Sequence, residues 1–433
     1  MAGPFRSPRR LRRGRGVALP RMDLEMTYTL FRNARLFDGE NVDPRERVDV
    51  LVEGNRIREV ADSPIRAAGA LEIDVRGRTL MPGLIDAHVH VYGVTDPALV
   101  TSMSYNALFA ARMLEHALDC GFTAVRDVGG GDYAIEAALK RGLIRGPRFY
   151  YAGRMLSMTG GHADPRPRHH FDHNACACRF IDHFHHVVDG PDECRQAARE
   201  ELRRGAHCVK FTGSGGITSP TDPLWMQQYT ESEIAAIVEE CSRRRTYAAA
   251  HCYDGPNALR CAVIGVRTIE HGMLIDRETA TRLAQLSTYV IPTLVIIQGL
   301  LECGREVGLS EESQAKVKEV YQTGLHGLEA LHAAGVKMGF GTDLIGPLYK
   351  QQAREFLLRR EVLPAIDILR SATSISADAM MLGHEIGRVR AGALADLLVV
   401  DGDPVEDISL LAQDGKCLSV IMRGGELHRN RFT

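Results

Sequence analysis

The chain has 433 residues, 45% hydrophobic and 25% charged, an ordinary globular composition that excludes intrinsic disorder, a collagen-like fibre and a disulfide-dense scaffold. Lys and Arg total 53 against 55 Asp and Glu. Seven of the arginines fall in residues 1–21, which hold no acid, so the remainder has a net charge of −9 and makes a poor nucleic-acid surface.

Residues 1–26 read as a disordered basic tail. Arg9-Arg10 and Arg12-Arg13 suit a targeting sequence, but no apolar stretch follows them, since Val17-Ala18-Leu19 stops at Pro20. No run of about 18 apolar residues offers a membrane span. Without a signal peptide, the ten cysteines read as reduced thiols and the location as the cytoplasm. Residues 27–82 alternate as short strands, with turn signals at Asp38-Gly39, Glu53-Gly54-Asn55 and Gly77. The stretch 387–433 has the same character, and the two ends are expected to pair as one small β-sandwich domain.

Between them, over 83–386, eight short apolar runs alternate with helical patterns. The runs are 84–91, 122–129, 148–155, 208–214, 247–253, 267–273, 288–296 and 337–343. Helix candidates lie at 104–121, 191–205 and 230–245, the last opened by the capping-box pair Thr230 and Glu233. Eight strands alternating with helices predict an α/β fold of the (β/α)8 TIM-barrel type. A doubly wound sheet is disfavoured, because no G-x-G-x-x-G follows the first strand.

The polar residues within these runs carry the chemistry. His88 and His90 sit two apart, so both face the barrel interior, and two converging imidazoles suit a metal. Lys210 stands in an apolar strand, where it either snorkels or pairs with a carboxylate, or presents a neutral amine that can become a carbamate, a long carboxylate able to bridge two cations. His251 and His271 end the fifth and sixth runs; Asp343 ends the eighth. Each alone has a plainer reading, a core histidine or a helix cap, but five of eight strands offer a metal-competent group at one depth. The His-rich loop 162–186 reads as a lid over the barrel mouth. A separate zinc site from Cys176, Cys178 and His183, His185 or His186 is disfavoured by its spacing.

The order H-x-H, Lys, His, His, Asp resembles the amidohydrolase superfamily in its binuclear metal subtype. The resemblance extends over Met81-Pro82-Gly83-Leu84-Ile85-Asp86-Ala87-His88-Val89-His90 and Gly392-Ala393-Leu394-Ala395-Asp396-Leu397. Thr159-Gly160-Gly161-His162, Ser214-Gly215-Gly216 and Thr268-Ile269-Glu270-His271-Gly272 are similar to the prolidase-like (Xaa-Pro dipeptidase) and imidazolonepropionase-like branch, near ochratoxin-type amidohydrolases. The resemblance implies two divalent ions, zinc with manganese or cobalt as alternatives. His88, His90 and Asp343 would hold one, His251 and His271 the other, and carboxylated Lys210 would bridge them. It implies attack by a metal-bridging hydroxide on a C–N amide bond of an Xaa-Pro dipeptide or N-acyl amino acid, with Asp343 as proton shuttle. His162 and Tyr253 would bind that small-molecule substrate. A lactone or ester hydrolase, a cyclic-amide hydrolase or deaminase on the same barrel or, more remotely, a non-catalytic scaffold are the competing readings. Relatives of this kind form homo-oligomers, octamers among them; neither nucleic acid nor membrane is an expected partner.

Overall fold

The computed structural model describes residues 28–96, 98–100, 102–164, 166, 184–219 and 222–432. The basic tail lies outside the described residues, as do Cys176, Cys178, His183 and most of the loop expected to form a lid. Among the described residues no helix is long and apolar enough to cross a membrane.

The chain begins with β1 (Tyr28–Leu36), β2 (Arg45–Glu53), β3 (Arg56–Ala61), β4 (Leu71–Asp74) and β5 (Thr79–Pro82). Antiparallel β1–β2 and β2–β3 pairs place Val48, Val50, Val52 and Ile57 on one apolar layer, the period-two alternation of a half-buried sheet.

The barrel follows. Its staves are β6 (Leu84–Val89), β7 (Phe122–Asp127), β8 (Arg148–Tyr151), β9 (Met155–Ser157), β11 (Val209–Thr212), β12 (Ala248–Asp254), β13 (Thr268–Leu274) and β14 (Tyr289–Ile291), with β10 (His185–Val187) pairing outside β9. All their ladders are parallel. The third expected strand is split: β8 pairs with β7, and β9 with β11. Gly153, at φ +75°, breaks the run where a Cβ would lie 2.3 Å from Glu201 Oε2. The eighth run is not a regular strand either. It bridges β14 at Met338, and its backbone closes the ring through Gly339 N–H to Val290 O (2.9 Å), Ala87 N–H to Phe340 O (2.7 Å) and Asp343 N–H to His88 O (2.8 Å). Gly341 permits that approach, since a Cβ there would sit 2.8 Å from His88 Cβ.

The helices cover the outside. Pro191–Arg203 buries Cys194, Ala197, Ala198, Glu201 and Leu202, the i, i+3, i+4, i+7, i+8 stripe of an amphipathic helix, with Pro191, Asp192 and Glu193 in its first turn. Glu231–Arg243 opens with the expected capping box between Thr230 and Glu233. After the barrel, β15 (Leu397–Val400), β16 (Leu418–Arg423) and β17 (Glu426–Asn430) return to the first sheet, β15 lying antiparallel to β5. The sheet order is β17-β16-β15-β5-β1-β2-β3, with β4 on β1. It folds over on itself: Ala395 N–H reaches Asn55 O (2.9 Å), and Gly425 N–H reaches Ala395 O (3.0 Å). Phe31, Val50, Leu80, Val399 and Val420 fill the space between the halves.

Candidate active site

His88, His90, Lys210, His251, His271 and Asp343 all open on one cavity of about 280 Å³ at the C-terminal ends of the barrel strands, the end where this fold carries its chemistry. His162 and Tyr253 line the same cavity. β12 and β13 end at Asp254 and Leu274, one residue beyond the expected runs and three past their histidines.

Outer contacts aim the imidazoles. His88 donates Nδ1–H to Glu270 Oε2 at 2.8 Å, and His90 Nδ1–H reaches the Gly129 carbonyl at 3.0 Å. Their Nε2 atoms are thereby turned to Asp343 Oδ1, at 3.3 and 3.1 Å. His271 Nδ1 lies 2.8 Å from Thr293 Oγ1 and 4.0 Å from Asp343 Oδ2. Among the described residues, the Nε2 atoms of His88 and His251 are buried with no hydrogen-bond partner. Buried polar atoms are rarely left so, and an array of orphaned imidazole nitrogens around a carboxylate is what a cation with N and O ligands requires. His88, His271 and Asp343 each bring a ligand atom within 4.8 Å of the others. The residues present therefore fit a divalent metal.

The electrostatics agree. Burial pushes the His251 and His271 pKa values well down, which favours the neutral imidazole that binds metal. Burial works the other way on Asp343, yet the histidines around it, His88 first, hold its carboxyl well below the usual range. Burial also pushes the Lys210 amine down, against the pull of Glu270 and Asp343. Lys210 is 1% exposed and makes no ion pair among the described residues, so its alternative reading as a paired core lysine is not met. His271 and Asp343 both take left-handed backbone, at φ +71° and +56°, a conformation that costs about 1–3 kcal/mol for a residue other than glycine and clusters at functional sites.

Around these side chains lies a layer to which the sequence reading gave no role. Glu270 takes two hydrogen bonds from Arg126 Nη2 (2.8 and 2.9 Å) and one from Thr268 Oγ1 (2.6 Å), and Arg126 Nε reaches the Ala87 carbonyl (2.6 Å). Asp86 accepts from Thr342 and Gln352, joining the first strand to the closing seam. Asp127 accepts from the N–H groups of Val91, Gly129 and Gly131, shaping the turn whose carbonyl holds His90. The available signal was charged residues inside apolar strands, Arg126-Asp127 and Glu270; their pairing across the barrel was invisible.

His162 stacks on His251, with ring centroids 4.3 Å apart and planes at 29°. Tyr253 stacks on His271 (4.8 Å, 10°) and meets His251 edge-on. The remaining wall is mostly apolar, including Tyr92, Val100, Phe184, Ile296, Leu300 and Ile345.

Residues 79–427 match the amidohydrolase family. Ochratoxinase of Aspergillus niger is 28% identical over 397 residues, covering 85% of this chain and 79% of its own length. The crystal structure of an amidohydrolase superposes with a TM-score of 0.89 at 43% identity, over 93% of this chain and 99% of its own. A prolidase solved with N-methylphosphonate-L-proline gives a TM-score of 0.89 at 41% identity, over 93% and 100%. With the match spanning the barrel and much of the terminal sheet, the chain belongs to the amidohydrolase family.

Proposed function

We propose that the protein is a binuclear metal-dependent amidohydrolase that cleaves the C–N amide bond of Xaa-Pro dipeptides or N-acyl amino acids, ochratoxin-type amides included. The observation that carries this reading is the convergence on one cavity of four histidines, a buried lysine with no ion pair among the described residues, and an aspartate whose carboxyl the histidines hold well below the usual range. The likeness to ochratoxinase and to a prolidase supports the substrate class.

His88, His90 and Asp343 would hold one ion, His251 and His271 the second, with Lys210 as a carbamate between them. Divalent ions there, zinc or alternatively manganese or cobalt, would acidify a water towards neutrality and draw electron density from the scissile carbonyl. Asp343 takes the water's proton at a carboxylate oxygen and gives it to the departing nitrogen, so that the C–N bond breaks to release a neutral amine. His162 and Tyr253 bind the substrate's carbonyl or carboxylate. The apolar wall excludes bulk water and accepts an apolar acyl group or side chain. Residues 83–386 form the hydrolase unit, supported by the sheet of 27–82 and 387–433. The eight described cysteines are free thiols, which supports a cytoplasmic location.

The test is metal analysis of zinc-loaded protein together with a screen of Xaa-Pro, other dipeptides and N-acyl amino acids. The expected result is about two ions per chain and release of the amine product, as a two-metal site requires. Two bound ions with no amide turned over, but lactones or esters opened, would replace the amide reading with the ester one.

A further inference from the structure

We infer that Lys316, which does not itself line the cavity, is a positioning residue for His162: its ammonium fills a cradle of three carbonyl oxygens and so fixes the segment that holds the imidazole in place. The inference rests on the proposed role of His162 in binding substrate.

Lys316 lies in the second turn of the helix Glu311–Ala333. That helix is seated on the barrel backbone. A Cβ on its Gly327 would be 2.2 Å from the carbonyl of Met273, two residues past His271 on β13. From this base Lys316 Nζ donates to the carbonyls of Gly216 (2.8 Å), Ser219 (2.9 Å) and Asp222 (2.6 Å). An ammonium has three protons, and all three are used. Charge-assisted bonds of this kind are about twice as strong as neutral ones.

The residues so tied are those that confine His162. Gly216 abuts the ring, where a Cβ would come within 2.2–2.4 Å of three ring atoms. Ser219 Oγ stands 2.7 Å from His162 Nδ1. Asp222 Oδ2 accepts from Gly216 N–H (2.9 Å) and Gln228 Nε2 (3.3 Å), and Gln228 Oε1 accepts the backbone N–H of His162 (3.0 Å). Together these contacts press the imidazole onto His251. Without the ammonium, three carbonyl dipoles would point at one another with no counter-charge, and the segment would spread.

The experiment uses the full-length, zinc-loaded enzyme and measures kcat, KM, metal content and melting temperature for wild type, Lys316→Ala, Lys316→Met and His162→Ala on one good substrate. Lys316→Ala is expected to raise KM about tenfold, as for a segment correctly placed a tenth of the time, while kcat stays within about threefold and both metals remain. Lys316→Met, which keeps the aliphatic stem and its packing, is expected to show the same rise. Added n-propylammonium chloride, which can enter the emptied cradle of the alanine variant, is expected to lower KM towards wild type where sodium chloride at equal ionic strength does not. A KM unchanged in both Lys316 variants while His162→Ala raises it would overturn the positioning role and leave the substrate-binding reading standing. Equal responses to propylammonium and sodium would overturn the cradle. An unchanged KM in His162→Ala would overturn both readings.

Discussion

Replacing Glu270 by Gln changes one atom type in the least accessible part of the barrel. Glu270 and Arg126 are both 0% exposed, and the carboxylate also accepts from His88 and Thr268. Burial alone would raise the Glu270 pKa, but Arg126 and then His88 hold it well below the carboxylate range, which favours the anion that all three donors address. The amide keeps the shape but loses the charge and half of the acceptor capacity. It leaves the Arg126 guanidinium buried without an anion, a change that costs about 3–5 kcal/mol. At about 2.1 cal/mol/K per residue the cooperative unfolding entropy of a chain this long is about 0.9 kcal/mol/K, so Tm should fall by about 3–6 °C. His88 at the same time exchanges a charged carboxylate acceptor for at most a neutral amide oxygen on its Nδ1 proton, and weakening such an outer partner lowers metal affinity about 10–100-fold. Scanning calorimetry and competition with a chelator measure the two effects separately. In the double variant Arg126→Met with Glu270→Gln, the stranded charge is gone, so stability should recover while metal affinity stays low. If Glu270→Gln binds metal as wild type does, the carboxylate does not orient His88.

The other expectations concern single groups. Lys210→Ala should lose the metal pair and hydrolysis together, with partial recovery on adding short-chain carboxylic acids; an active variant with both ions bound would rule out the carbamate bridge. Asp343→Asn, compared at equal metal content, should lower kcat by about 10²–10⁴-fold with little change in KM. Turnover within a few-fold of wild type would move the proton shuttle elsewhere. His186, whose pKa burial pushes down to about 4, stays neutral in the fold while the unfolded chain protonates it below its ordinary 6.5. Its contribution is therefore intact above pH 6.5 and lost as pH falls towards 4. In His186→Phe the acid limb of Tm against pH should be shallower, and an identical limb would show that His186 is not responsible.

Much of this was legible because the barrel writes itself locally. The staves are largely apolar runs such as Tyr247–Tyr253, and the polar residues within them stand out against that background. Six such residues were enough to mark the cavity on which they meet. What could not be read depends on groups distant in sequence. Arg126 and Glu270 were visible as charges within strands, but nothing local shows that they neutralise one another across the barrel. The run 337–343 was legible as the eighth stave, but its glycines gave no sign that it closes the ring through backbone bonds to β6 and β14 rather than as a regular strand. The break at Gly153 is decided by Glu201 on a later helix. Lys316 has the sequence surroundings of any solvent-facing helix lysine, and only the fold brings the carbonyls of Gly216, Ser219 and Asp222 within reach of its ammonium.

The return of β15 to β5 imposes an order of events on biosynthesis. β1, β2 and β3 can pair as soon as they leave the ribosome, but β5 at 79–82 must wait for its antiparallel partner at 397–400, after the whole barrel has been translated. During that interval the edge of β5, with Leu80 and Met81 on it, has no ladder partner on that side, the kind of open edge that recruits strands from other chains. A ribosome that stalls within the barrel, or a message truncated before codon 397, would therefore release a nascent chain whose first sheet is ready to template aggregation rather than one that is merely inactive.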